Sequence, residues 1–153
     1  MSTVALQVTN TSGCVDYHRT MAATLAAGDA LNRGASILSI AKDFWLAAHV
    51  LKALVAATNR ITQAPHDELA TFIVNLESVH SRVNALIDRA CKKGLARRRI
   101  ISFSIQSLRL HNEGIKDAIE RLRLTEDREI RDAALEAIAE HKRGETVSLE
   151  SLL

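Results

Sequence analysis

The sequence predicts an all-α protein, an antiparallel four-helix bundle followed by an additional C-terminal helix. Apolar residues recur at alternating three- and four-residue steps over 69–90 and 101–122, which is the spacing of one stripe along an α-helix. A short basic segment, residues 92–99, joins the two stretches, and helices joined this closely fold back on each other. With one proline and 3% aromatic residues, the composition favours helix over sheet.

The two stripes define the predicted core. They comprise Leu69, Phe72, Leu76, Val79, Val83, Leu86 and Ala90, and then Ile101, Ile105, Leu108, Asn112, Ile115, Ile119 and Leu122. Asn112 stands where an apolar residue is expected, so its amide needs a buried hydrogen-bond partner and can fix the register between helices. Thr58, a similar polar intrusion on an earlier helix, is the candidate partner of Asn112.

The first half of the chain carries clear start and stop signals. Residues 1–13 end in a polar cluster and predict a flexible arm, and an Ala-rich helix is predicted over 15–31. Gly34 is placed to end that helix, because glycine tolerates the left-handed backbone of a C-cap. Ser36 can cap the next helix, which is predicted over 36–61.

The second half of the chain also carries signals that begin and end its predicted helices. Pro65 suits the first turn of the third helix, and Gly94 can close it. A fourth helix is predicted to end at Leu124, and Thr125 is the expected N-cap of a further helix because acidic residues follow it. The predicted organisation is therefore an arm, a helical bundle, and a brace-like helix with a tail, over residues 1–13, 14–124 and 125–153.

The predicted second helix is apolar around most of its circumference. Besides its core stripe it carries Leu38, Trp45, Leu46 and Val50. Such a helix is either buried on several sides or meets a membrane. Three charges, Lys42, Asp43 and Lys52, make it a poor spanning segment, since each costs about 2.5–3.5 kcal/mol at the bilayer centre. We therefore expect a central helix of the bundle, with conditional membrane insertion as the alternative.

The sequence contains no pattern that predicts catalysis. Glu77 and His80 form one Glu-x-x-His element, whereas a di-iron bundle needs two such elements and two further carboxylates. Cys91 lies beside two lysines that can lower a thiol pKa, but no base can be matched to it, so a structural role is expected. Gly-rich phosphate loops and nucleophile elbows are missing from the sequence. We expect no enzymatic activity, no cofactor and no metal.

The basic segment over residues 92–99, here the basic hinge, carries the functional prediction. Its five cations are Lys92, Lys93, Arg97, Arg98 and Arg99. They either cap two helix ends as a solvated loop or form a docking site for an anionic partner such as acidic membrane lipid. Nucleic acid is not favoured, because no aromatic residue interleaves with these cations.

Cellular location is predicted from the cysteines and from the N-terminus. Cys14 and Cys91 are too few for a disulfide framework, and the first residues lack the basic and apolar regions of a signal peptide. We therefore expect a cytoplasmic protein, which is recruited to a membrane if the hinge binds lipid.

A family resemblance covers residues 35–131. It rests on the segment 86–99 and on the stripe that follows, which comprises Ile105, Leu108, Asn112, Ile115, Ala118, Ile119 and Leu122. These residues resemble the second half of the N-terminal four-helix bundle of the mixed-lineage kinase domain-like pseudokinase. Related bundles occur in HeLo-like domains and in some plant resistance proteins, and the segment 36–61 is similar to their apolar helix.

The resemblance implies a non-enzymatic adaptor of cell-death or immune signalling. Members of that group bind acidic lipids through basic patches and oligomerise, and some permeabilise membranes whereas others only recruit protein partners. The helix over 126–143 stands where the family has a regulatory brace helix. Lytic activity is not implied here, because His18, Arg19 and Arg33 are the few basic residues of the first helix region.

Two other functions stay open on the sequence alone. One is a soluble protein-interaction scaffold with no lipid role, which acts through protein partners or self-association. The other is a small antitoxin-like regulatory protein, because residues 143–150 are weakly similar to antitoxin C-termini.

Overall fold

The structure is a computed structural model that describes residues 16–61 and 66–143. Within these ranges it contains four α-helices and no strand: α1 (Tyr17–Asn32), α2 (Ile37–Asn59), α3 (His66–Lys92) and α4 (Arg99–Lys142). A short 3-10 turn, Leu95–Arg97, lies between α3 and α4. The predicted all-α class is confirmed for the described residues. The predicted arm, Pro65 and the tail beyond Arg143 lie outside them.

Local side-chain chemistry sets the ends of the first two helices. The Asp16 carboxylate accepts a hydrogen bond from the Arg19 N–H at 3.0 Å, and this cap begins α1. α1 ends at Asn32, and Gly34 just beyond it has a left-handed φ of 68°, as its position predicts. α2 begins after Ser36, whose hydroxyl accepts from the Ser39 N–H at 3.2 Å, again as predicted.

The four helices share one buried core, and both predicted stripes lie in it. Every stripe residue of α3 and α4 is at most 6% exposed. From α1 and α2 the core takes Ala27, Ala30, Leu31, Ile40, Phe44, Ala47, Leu51 and Leu54. The heptad spacing of the sequence therefore identifies correctly which side of each helix faces inward.

α2 departs from the prediction that it is buried on several sides. Val50 is buried, but Leu38, Trp45 and Leu46 are exposed. The reason is that α2 packs mainly against α1 and α4, so the side of the helix that carries these three residues has no neighbouring helix. None of the described helices combines the length and the apolar content that are needed to cross a bilayer.

α4 is one continuous helix, so the predicted N-cap at Thr125 is wrong. The Thr125 hydroxyl donates to the Arg121 carbonyl one turn earlier, at 3.1 Å, as a residue within a helix does. No glycine or proline interrupts residues 115–143, and helix-forming residues dominate there. Leu122 is the last buried residue of α4. Residues 124–142, here the α4 extension, therefore continue the helix beyond the core.

Specific contacts join α4 to its two neighbours. Arg123 of α4 forms an ion pair with Glu77 of α3. Gly114 of α4 lies against Val55 of α2, and a Cβ at Gly114 would come within 3.1 Å of a Val55 methyl carbon. The missing side chain at this position allows the two helix backbones to approach closely.

We expect Leu108→Ala to lower the free energy of unfolding by about 2–5 kcal/mol, because it leaves a cavity in the centre of the core. Urea unfolding followed by circular dichroism measures this. Leu110→Ala is the matched control, since Leu110 is on the same helix and is 68% exposed. Equal decreases in the free energy of unfolding of the two variants would contradict a structure in which Leu108 faces the core and Leu110 faces solvent.

Candidate docking site at the basic hinge

A tight turn forms the backbone of the basic hinge. Gly94 has a left-handed φ of 77°, which ends α3 as the sequence predicts. The Arg97 N–H donates to the Gly94 carbonyl at 3.3 Å, and the Arg98 N–H donates to the Leu95 carbonyl at 3.0 Å. The 3-10 turn that follows α3 is therefore closed by its own backbone hydrogen bonds.

Two apolar residues hold the hinge against the bundle. Leu95 and Ala96 are half-buried and pack against the core. The side chains on either side of them are exposed: Lys92, Lys93, Arg97, Arg98 and Arg99. The apolar pair fixes the turn, so the five cations that the sequence assigns to docking are brought together at one end of the bundle and face solvent.

Few carboxylates balance these cations. Lys92 pairs with Asp88 one turn earlier, with 3.1 Å between Nζ and Oδ2, and this exposed pair contributes little to stability. The other four hinge cations form no ion pair within residues 16–61 and 66–143. From residue 92 to residue 112 the sequence contains neither Asp nor Glu. The hinge end of the bundle therefore carries a local excess of positive charge.

The helix dipoles separate the hinge cations into two groups. Lys92 and Lys93 follow the C-terminal end of α3, where a positive charge is favourable. Arg97, Arg98 and Arg99 stand at the N-terminal end of α4, where a positive charge is unfavourable. Arg98 provides no side-chain cap, and the first turn of α4 contains no acidic residue. Helix capping therefore accounts for the two lysines but not for the three arginines.

Cys91 lies directly beside the hinge and is half-buried against the core. Its sulfur accepts a hydrogen bond from Nη2 of Arg109 on α4, at 3.2 Å. Two residues earlier, Arg89 donates from Nη1 to Oδ1 of Asn32 at 2.6 Å, which joins α3 to the end of α1. These polar contacts brace the hinge end of three helices.

Asn112 connects α4 to α3, and its partner differs from the predicted one. It is 3% exposed, and its amide nitrogen donates to Oδ1 of Asn84 at 2.9 Å and to the His80 carbonyl at 3.2 Å. Thr58 is not its partner. The Thr58 hydroxyl donates to the Leu54 carbonyl of its own helix at 2.8 Å, because a threonine can bond the carbonyl four residues earlier.

A groove of about 380 Å³ lies between α2 and α4, and no pattern in the sequence predicts it. Trp45 and Phe103 line it from the two helices, together with His49, Lys52 and His111. The Trp45 ring stacks on His49, with 5.3 Å between ring centroids and 7° between planes. Phe103 could have been found from the sequence, because it falls off the stripe that contains Ile101 and Ile105.

Burial shifts the pKa of two side chains. Partial burial lowers the pKa of His111 below its usual value, and the positive charge of Lys52 lowers it further. Burial also raises the pKa of the Tyr17 phenol well above its ordinary range. The Tyr17 ring packs near Phe72, at 6.3 Å between centroids. Tyr17 therefore stays protonated and packs as part of the interior.

The described residues include no cluster of three His, Cys, Asp or Glu side chains with the spacing of a metal site. Glu77, from the single Glu-x-x-His element, pairs with Arg123. The backbone carbonyl of His80, from the same element, accepts from Asn112.

Comparison of this chain with protein-family models, with curated proteins and with solved structures gives no match.

Asn112→Ala should lower the free energy of unfolding by about 1–3 kcal/mol, because two part-buried hydrogen bonds between α4 and α3 are lost, each worth about 0.5–1.5 kcal/mol. Thr58→Val should cost less, since the Thr58 hydroxyl bonds only its own helix. Chemical denaturation of the two variants and the wild type makes the comparison. A larger loss for Thr58→Val would mean that Thr58, and not Asn112, joins the helices.

Acidification should destabilise the protein partly through His111. In the unfolded chain this side chain titrates near 6.5, and in the folded chain its pKa is lower. As the pH falls through about 6.5, the unfolded state therefore binds the proton before the folded state does. The free energy of unfolding decreases over this range, until the pH is below the pKa of His111 in the folded protein. We expect His111→Gln to lose less thermal stability than the wild type between about pH 7.5 and about pH 5.5.

The matched control for this measurement is Gln106→Ala, since Gln106 is exposed on the same helix as His111 and carries no titratable group. This variant should keep the pH dependence of the wild type. If His111→Gln also keeps the wild-type slope, the groove does not favour neutral His111.

Proposed function

We propose that this chain is a non-enzymatic helical-bundle domain of the cell-death or immune-signalling type, which oligomerises and docks on acidic membranes or partner proteins. The resemblance over residues 35–131 supports the class. The arrangement of the basic hinge supports docking. One observation carries it: Arg97, Arg98 and Arg99 stand against the dipole of α4, with no acidic partner among the described residues.

An anionic membrane surface would supply the charge that this end lacks. Each cation near such a surface gains about 1 kcal/mol, and the attraction falls off within a Debye length. The first amides of α4 also point toward the hinge, and helix N-termini attract phosphate groups. On this proposal the protein is cytoplasmic and is recruited to the inner membrane surface, where acidic lipids are concentrated.

We also propose the antiparallel bundle that the sequence predicts. Its support is the order of the contacts between helices, since residue numbers fall along α3 as they rise along α4. The α3–α4 pairs are Cys91 with Arg109, Asn84 with Asn112, and Glu77 with Arg123. α2 and α4, which are separated by α3 in the chain, then run in the same direction, as Val55–Gly114 and Thr58–Arg121 indicate.

A protein-interaction scaffold is the second candidate function, and the α4 extension favours it. Its apolar side chains Leu124, Ile130, Leu135 and Ile138 are each more than half exposed. An exposed apolar helix surface is typical of a protein-binding site or of self-association. The antitoxin-like alternative rests on residues 143–150, and Arg143 is the one among them that the structure describes.

The triple variant Arg97→Glu, Arg98→Glu, Arg99→Glu should abolish flotation with vesicles that contain phosphatidylserine. The reason is that the substitutions replace three cations by anions on the surface that would meet the headgroups. Helicity should stay unchanged, since all three side chains are exposed. Wild-type binding should weaken as salt is raised, because exposed charges are screened.

The matched control reverses three exposed cations of the α4 extension: Arg128→Glu, Arg131→Glu, Lys142→Glu. It changes the net charge equally and should keep vesicle binding. Equal vesicle binding by both triple variants, or no wild-type binding at any salt concentration, would overturn the docking proposal. The hinge would then be a solvated loop that caps two helix ends.

A further inference from the structure

The outer face of α2 and α4 exposes an unusual set of large apolar side chains. Phe103 is 71% exposed and Trp45 is 61% exposed. Leu38, Ile100 and Leu110 are exposed on the same two helices. Single exposed apolar residues are ordinary, but a contiguous group that includes two aromatic rings marks an interaction surface. These five residues are here the aromatic face.

The aromatic face is contiguous and runs toward the hinge. Trp45 and Phe103 line one groove, so the two helices contribute to the same surface. Ile100 precedes Phe103 by three residues and Leu110 follows it by seven, which puts all three on one side of α4. Ile100 directly follows Arg99, so the apolar surface begins where the hinge cations end.

Charge complementarity limits what can cover this face. Lys42 lies between Leu38 and Trp45 on the same side of α2, at four- and three-residue spacing. Lys52 lines the groove, and no acidic residue occurs in α4 before Glu113. Asp43 is two positions from Trp45 and therefore points to a different side of α2. The occupant must be apolar in its interior and negatively charged at its surface.

The same face of a second copy does not meet that requirement. A two-fold pairing of this face would enclose Lys42 and Lys52 of both copies in one interface, where the face offers no carboxylate to pair with them. Like charges placed opposite each other disfavour an interface. An acidic bilayer has instead both the apolar layer and the anionic headgroups that the face requires.

We propose that the aromatic face is an interfacial membrane anchor, in which Trp45 and Phe103 enter the headgroup region of an acidic bilayer beside the hinge cations. The proposal rests on the proposed docking of the hinge. Tryptophan favours the boundary between headgroups and acyl chains, because its ring is apolar and its indole N–H is polar. Phenylalanine is common on the apolar face of helices that lie in this layer. Basic residues beside such rings are typical of helices that lie in this layer. The contact is interfacial, and no helix spans the bilayer.

Trp45 reports on its own insertion, because it is the single tryptophan of the chain. Its fluorescence should shift to shorter wavelength when the wild-type protein is mixed with phosphatidylcholine vesicles that contain about 30% phosphatidylserine. Phosphatidylcholine brominated on its acyl chains should quench the emission. Vesicles of pure phosphatidylcholine should produce neither effect at the same lipid concentration.

Phe103→Ser tests the second ring while it keeps Trp45 as the probe. It should weaken vesicle binding by about tenfold, from the loss of one apolar anchor. Unlike the loss caused by the hinge triple variant, this loss should persist at high salt. Val74→Ser is the matched control, since Val74 is 62% exposed on α3, and it should bind as the wild type does. Both positions are exposed, so circular dichroism should show unchanged folding.

The outcomes separate the two proposals. Flotation with acidic vesicles but without a Trp45 shift or quenching would overturn the anchor and leave the hinge site intact. A Trp45 shift that appears with protein concentration alone, without vesicles, would assign the face to self-association and also overturn the anchor. Failure of the wild type to float at any salt would overturn the hinge docking and the anchor with it.

Discussion

Burial of the α4 stripe between α2 and α3 is the interaction on which the rest of the structure depends. α4 packs against both helices, and its stripe residues are almost fully buried. An isolated helix is marginal in water, so packing of this stripe supplies most of the stability of α4 within the bundle. An α-helix has 3.6 residues per turn, so residues two positions apart point to different sides of it. Because the inward side of α4 carries Ile101, Ile105 and Leu108, the outward side carries Phe103 and Leu110. The core contact thereby sets which side chains the protein presents to a partner.

The basic hinge combines features that favour folding with features that oppose it. Gly94, Leu95 and Ala96 fit the turn, since they supply a left-handed backbone and two apolar contacts with the core. Arg97, Arg98 and Arg99 oppose the dipole of α4 and repel one another. A turn selected for stability alone would carry Asp or Ser at the start of α4. This conflict is what gives the hinge a functional interpretation beyond that of a loop.

The two ends of α4 differ in chemistry. The hinge end is basic and continues into the aromatic face, whereas the α4 extension carries exposed Leu and Ile among acidic residues. With a helix rise of about 1.5 Å per residue, the 44 residues of α4 separate these surfaces by tens of ångströms. A protein with this form can contact a charged surface at one end and an apolar partner at the other.

The sequence by itself determined the all-α class, the inward faces of the helices and several of their ends, because these depend on residue spacing and local chemistry. Both stripes, the Ser36 cap and the turns at Gly34 and Gly94 follow from neighbouring residues alone. The clustering of the hinge cations was predictable for the same reason. Thr125 shows the limit of a local signal, since a cap residue followed by acids does not end a helix when strong helix formers surround it.

Only the tertiary structure decided which neighbour each side chain meets. Asn112 bonds Asn84 on α3 and not Thr58, because the rotation of α4 turns its amide toward α3. Trp45 is exposed and not buried, because α2 has no neighbouring helix on that side. Spacing along one helix fixes which residues share a face. When a helix such as α2 has two apolar faces, the neighbouring helices decide which face is covered. The number and position of those neighbours are set by the packing of the whole bundle.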